Sequence, residues 1–95
     1  MNLCTKDQSV DFSESDVCVW MPDSDGKGEG EQEIGKLSEV QCAHQCKIEA
    51  VSNPKINGAT RRKSDGSCWC EIGMKSQASS WVYNSCFLRG NNTQW

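Results

Sequence analysis

"GSCWCEIG" (66–73), set beside "VQCAHQC" (40–46), decides how this chain is built. Cys42 and Cys46 are four residues apart, so on a helix they share one face about 6 Å apart along the axis. Cys68 and Cys70 are two apart, so on a strand they also share a face, roughly 6.6 Å apart. The two spacings match. A helix lying along this strand can form two parallel disulfides within the usual Cα separations of about 4.4–6.8 Å. Two pairings fit: Cys42–Cys68 with Cys46–Cys70, or Cys42–Cys70 with Cys46–Cys68. The second strand of a hairpin that follows a helix runs back parallel to it, which favours the first. Cys18 and Cys86 remain, near the two ends of the domain. Linking them ties down both ends and contributes on the order of 4 kcal/mol by chain entropy. The odd cysteine, Cys4, is left free or links two chains into a homodimer.

Composition supports staples over chemistry. The chain has 95 residues, 36% of them hydrophobic, and seven cysteines. One small domain of this kind buries a modest core and needs disulfides or a metal to stay folded. The cysteine density implies an oxidising, extracellular destination. The opening "MNLCTKDQSV" has no apolar core of a leader, so secretion would require a removed leader or unusual export. No segment approaches the about 20 apolar residues of a membrane span. The net charge of −3 divides unevenly: residues 1–35 carry −7 and residues 36–95 carry +4. An acidic front of this kind argues against nucleic acid as a partner.

The elements follow in order. Residues 1–15 read as a flexible arm, 16–89 as the domain and 90–95 as a flexible tail. "VCVWM" (17–21) is β-branched and aromatic and reads as a short strand. Residues 23–35 read as a glycine-rich acidic loop. Ser38 with Gln41 forms a capping-box signature, Leu37 supplies a staple, and Pro54 stops a helix expected over 39–50. Residues 56–63 and 68–72 read as a hairpin that bends at Gly58 and turns at 64–67. Residues 74–80 read as a loop and 81–88 as a strand. The sum is a small disulfide-rich α+β domain, one helix packed on an antiparallel sheet.

The blocks "VCVW", "VQCAHQC", "GSCWC" and "YNSCFL" resemble the PAN/apple family over residues 17–88. That family carries a helix with cysteines four apart and a last strand whose cysteine bonds back to the first. One departure is visible: the family's partner for the second helix cysteine follows the helix closely. Residues 51–67 hold no cysteine, and Cys70 takes that place. The resemblance implies binding of proteins or carbohydrates and no catalytic activity.

The chemical alternatives are weaker. A redox pair at Cys68 and Cys70 lacks a neighbouring cation, and Glu71 disfavours a thiolate. Four converging thiolates could hold zinc, but C-x3-C with C-x-C is not the usual spacing. The acidic loop places Asp23, Asp25 and Gly28 like an EF-hand. Lys27 and Ile34 then occupy ligand positions, which leaves at most weak cation binding by the loop. His44 is the only histidine and is expected to face solvent, so no acid–base constellation forms. We therefore expect no enzyme, no cofactor and no metal. Trp69 points away from the disulfide face and shares the other face with Glu71, and with Trp81 and Tyr83. These rings form either a second small core under the acidic loop or an exposed binding platform. Arg61-Arg62-Lys63 is either a solvated strand end or a contact for acidic glycans or an acidic protein patch. Trp69, Arg61, Arg62 and Tyr83 are the candidate contacts for a glycan or an extracellular protein. The competing expectation is a matrix, adhesive, signalling or defence component cross-linked through Cys4. Asn91-Asn92-Thr93 is a glycosylation sequon.

Overall fold

The computed structural model describes residues 17–89. The arm at 1–15 with Cys4, the tail at 90–95 and the sequon lie outside the described residues. Within them the α+β expectation holds: one long helix, antiparallel strands and three disulfides. The strands are β1 (Ser24–Lys27), β2 (Gly30–Lys36), β3 (Ile56–Arg62), β4 (Ser67–Ile72), β5 (Ser76–Ser79) and β6 (Tyr83–Phe87), and the helix α1 spans Glu39–Ser52. Four strands form one sheet in the order β2-β4-β3-β6, and β1 pairs with β5 in a separate ribbon.

Local chemistry sets the bounds of α1. The Ser38 Oγ accepts from the Gln41 N–H at 3.2 Å, and the Gln41 Oε1 accepts from the Ser38 N–H at 3.5 Å. This reciprocal cap satisfies two amide donors that a helix start otherwise leaves bare. Asn53, in an extended conformation ahead of Pro54, closes the other end through its N–H to the Glu49 carbonyl. The helix buries Cys42, Ala43 and Cys46 against the sheet. Of the two pairings that the spacing allows, the structure forms Cys42–Cys68 and Cys46–Cys70, with Cα separations of 5.7 and 5.2 Å. Cys18–Cys86 closes the third bridge at 5.8 Å. Leu37 packs against the same core from just before the cap.

Three segments differ from expectation. Residues 17–21 are no strand: they touch neighbours through isolated bridges, Cys18 with Leu88 and Met21 with Ser85. Pro22 has no N–H to continue a ladder, and Asp23 at φ 56° turns the chain away. The acidic segment 23–35 is not a loop but carries β1 and most of β2, and 74–80 carries β5. Periodicity could not reveal them. β2 is exposed along nearly its whole length, and no apolar alternation marks it. Its partner β4 supplies the ladder, from Gly30 opposite Ile72 to Lys36 opposite Ser67.

The two faces of the main sheet are chemically unlike. The face toward α1 is apolar and sulfur-rich. The other is polar and lies under the β1–β5 ribbon through hydrogen bonds. The Gly26 N–H donates to the Thr60 Oγ1 at 3.2 Å, and the Ser24 and Ser85 hydroxyls meet at 2.6 Å. The Gln77 side-chain amide donates to the Ser85 carbonyl at 3.1 Å.

Candidate ligand-binding cleft

Strand alternation builds the site. On β4, Cys68 and Cys70 face α1, so Trp69 and Glu71 face the ribbon side. Register brings partners onto that face: Thr60 opposite Trp69, Tyr83 opposite Arg62, and Glu31 opposite Glu71. A cleft of about 230 Å³ opens there, lined by Trp69, Tyr83, Thr60, Asp25, Glu31 and Glu71, with Lys27 and three glycines completing the wall. A larger, more apolar groove beside the end of α1 is lined by Ala50, Val51, Pro54, Ile56 and Leu88, with Lys47, Asn57 and Arg89 at its polar positions; it holds no carboxylate and no aromatic ring.

The Trp69 ring is held from two sides. Tyr83 meets it edge-on, with centroids 6.0 Å apart and planes at 81°. The Arg62 guanidinium sits 5.3 Å from its centroid. That guanidinium is already engaged, with Nε and Nη2 on the two Asp65 carboxylate oxygens at 3.1 and 3.0 Å. Arg62, then the Ser67 backbone N–H, hold the Asp65 carboxyl well below the usual carboxylate range. Arg61 goes to the opposite side. Its register partner is Cys68, and its Nε donates to the Leu37 carbonyl at 2.6 Å. Lys63 pairs with Asp23. Three of the four candidate contacts, Trp69, Arg62 and Tyr83, therefore meet, and Arg61 stands apart. Trp81 does not join them: it is 81% exposed in the turn before β6. His44, expected to face solvent, is half-buried on α1.

Glu71 is the residue that sequence reasoning passed over. Its place on the Trp69 face was visible, but its depth was not. It is 1% exposed, and its Oε2 has no hydrogen-bond partner. Burial raises its pKa to about 7; Thr60 opposes this, while Glu31 and Asp25 add to it by like charge. Across the cleft, the Lys27 ammonium lies 3.0 Å from an Asp25 oxygen, and its pKa is raised by that pairing.

The sulfurs of Cys42, Cys46 and Cys68 lie close enough together to suggest a metal site. All three are oxidised in disulfides, so none is the thiolate that such a site needs. Among the described residues no helix is long and apolar enough to cross a membrane. No family model, curated protein or solved structure matches the chain.

Glu71 sets a pH dependence of stability. Its folded pKa of about 7 stands above the unfolded value of 4.5, so the folded state holds the proton more tightly. The stabilisation is complete below the unfolded value and fades as pH rises toward 7. Allowing for water in the cleft, the domain should lose about 2 kcal/mol between pH 4.5 and 8 through this group. Urea unfolding at both pH values, in chelator, should show that loss in the wild type and a flatter profile in Glu71→Gln. An identical slope in both proteins would show that Glu71 titrates normally.

Proposed function

We propose that this chain is a secreted, non-enzymatic binding module of PAN/apple-like form that holds a neutral glycan in the Trp69 cleft. One observation carries the reading: a half-buried Trp69 ring, locked by Tyr83 and Arg62, borders a cleft lined with carboxylates. A sugar ring presents an apolar face that stacks on an aromatic ring, and hydroxyls that donate to carboxylates. Asp25, Glu31 and Glu71 would repel sulfated or carboxylated sugars, which narrows the class to neutral or amino sugars. The basic run contributes little to anion binding here, because Arg61 and Arg62 are both engaged inside the domain. Three disulfides support an extracellular setting, where such bonds persist. The helix-to-strand staples and the bond between terminal cysteines support the PAN/apple-like form.

A glycan array followed by calorimetry tests this. Trp69→Ala should weaken the selected neutral glycan about 10- to 100-fold, the worth of one stacked ring at 1.4 kcal/mol per decade. Circular dichroism should show the fold retained. Unchanged affinity in Trp69→Ala, or retention of sulfated glycans alone, would overturn the proposal. Turnover of a bound oligosaccharide would overturn its non-enzymatic part.

A further inference from the structure

We propose that the facing carboxylates of Glu31 and Glu71 form a binding site for a hard divalent cation of the calcium type. The two residues are direct cross-strand partners on β2 and β4, with side chains on the cleft face. Like charges placed directly opposite on a sheet repel each other. The β1 strand adds Asp25 to the same wall. The Glu71 Oε2 is withdrawn from water and receives no hydrogen bond, although a buried carboxylate oxygen ordinarily has a donor. The charged and titratable groups around it are few. Glu31 comes from β2, Asp25 and Lys27 from β1 and Tyr83 from β6, with Thr60 contributing a hydroxyl from β3. The one cation among them, Lys27, is 59% exposed and directed to Asp25. Lys27 attracts both carboxylates across the cleft but pairs directly with Asp25 alone, so the buried Glu71 Oε2 keeps an open acceptor that a bound cation would satisfy.

The donor set selects the ion. Every available ligand atom is oxygen, from carboxylates or a hydroxyl, and there is no imidazole or thiolate in the cleft. Oxygen-only sites suit calcium, which takes about six to eight oxygens in flexible geometry and accepts water for the remainder. The cleft has room for those waters, at about 230 Å³. Two carboxylates and an open wall point to an affinity of the order of 0.1–1 mM, the range of extracellular modules. The site shares its carboxylates with the glycan reading but does not rest on it, since cation binding is measured without sugar.

Terbium(III) is the probe, because Trp69 lines the same cleft and can sensitise its emission. The disulfide-intact protein at neutral pH should show tryptophan-excited terbium luminescence that calcium displaces, and calcium binding by calorimetry. Glu71→Gln should weaken both at least about tenfold. Glu31→Gln, at an exposed position where folding is not in question, should do the same. Trp69→Phe should lose most of the luminescence while its calcium affinity is unchanged. Glu49→Gln on α1 should behave as wild type. No calcium binding at millimolar concentration, or equal affinity in wild type and both glutamine variants, would overturn the site. Calcium binding by a wild-type protein that retains no neutral glycan would overturn the glycan reading alone.

Discussion

Reducing the three disulfides should unfold the domain outright. Among the described residues, eleven hydrophobic side chains are buried, and six of them are the half-cystines themselves. The rest are Val17, Ala43, Ile56, Ala59 and Met74; no leucine, phenylalanine or tryptophan is fully buried. The sulfur bridges are therefore most of the core as well as its cross-links. The bridges span sequence separations of 68, 26 and 24 residues. In the chain-entropy model these correspond to about 4 kcal/mol for Cys18–Cys86 and about 3.5 kcal/mol for each helix staple. Their sum rivals the whole 5–15 kcal/mol of stability typical of a domain. Reduction at neutral pH should abolish the near-ultraviolet circular dichroism and the cooperative thermal transition. Replacing Cys46 and Cys70 together by alanine should cost about 2–4 kcal/mol in urea unfolding and leave the other two bridges formed. A reduced chain, with free thiols verified by mass, that still melts cooperatively would show that the remaining packing suffices.

Gly28→Ala should strongly destabilise the cleft side of the domain. Gly28 sits in the turn between β1 and β2, against the segment joining β4 to β5. A Cβ there would lie 2.3 Å from the Gly73 carbonyl oxygen and 2.6 Å from the Met74 Cα. Both are backbone atoms, and neither can swing aside. Two hydrogen bonds pin the contact from either side: the Glu29 N–H to the Ile72 carbonyl at 2.9 Å, and the Lys75 N–H to the Lys27 carbonyl at 2.7 Å. Relief requires the turns to part, which breaks these bonds and lifts the ribbon from the sheet. We expect a loss of about 2–3 kcal/mol, the upper part of the overpacking range. Gly30→Ala is the control: its Cβ meets nothing within 4 Å, and its effect should stay within about 0.5 kcal/mol. Equal denaturation midpoints for the two variants would show that the turns are not locked together.

The helix and its staples were legible because their signals are local. Ser38 with Gln41, and Pro54 after Asn53, mark the ends of α1 within a few residues of sequence. The i,i+4 and i,i+2 cysteines impose matching distances on any helix and strand that meet. The site was half legible. Alternation along β4 was enough to put Trp69 opposite the disulfides and to group it with Tyr83. The separation of Arg61 from Arg62 follows from the same alternation, once the 61–68 register is known.

β1, β2 and β5 were not legible, because polar strands take their order from a partner far along the chain. Ser24 pairs with Ser79, and Glu31 with Glu71. The charge of Glu71 is decided in the same way. As a residue it is an ordinary acid on a strand, and its neighbours in sequence, Cys70 and Ile72, say nothing of a second carboxylate. By itself the sequence determined the helix, the matched cysteine ruler and the side of the sheet on which Trp69 lies, because each depends only on backbone periodicity. Only the tertiary structure decided that the acidic segment folds over that side and buries Glu71 against Glu31, because burial and like-charge proximity arise between segments some forty residues apart.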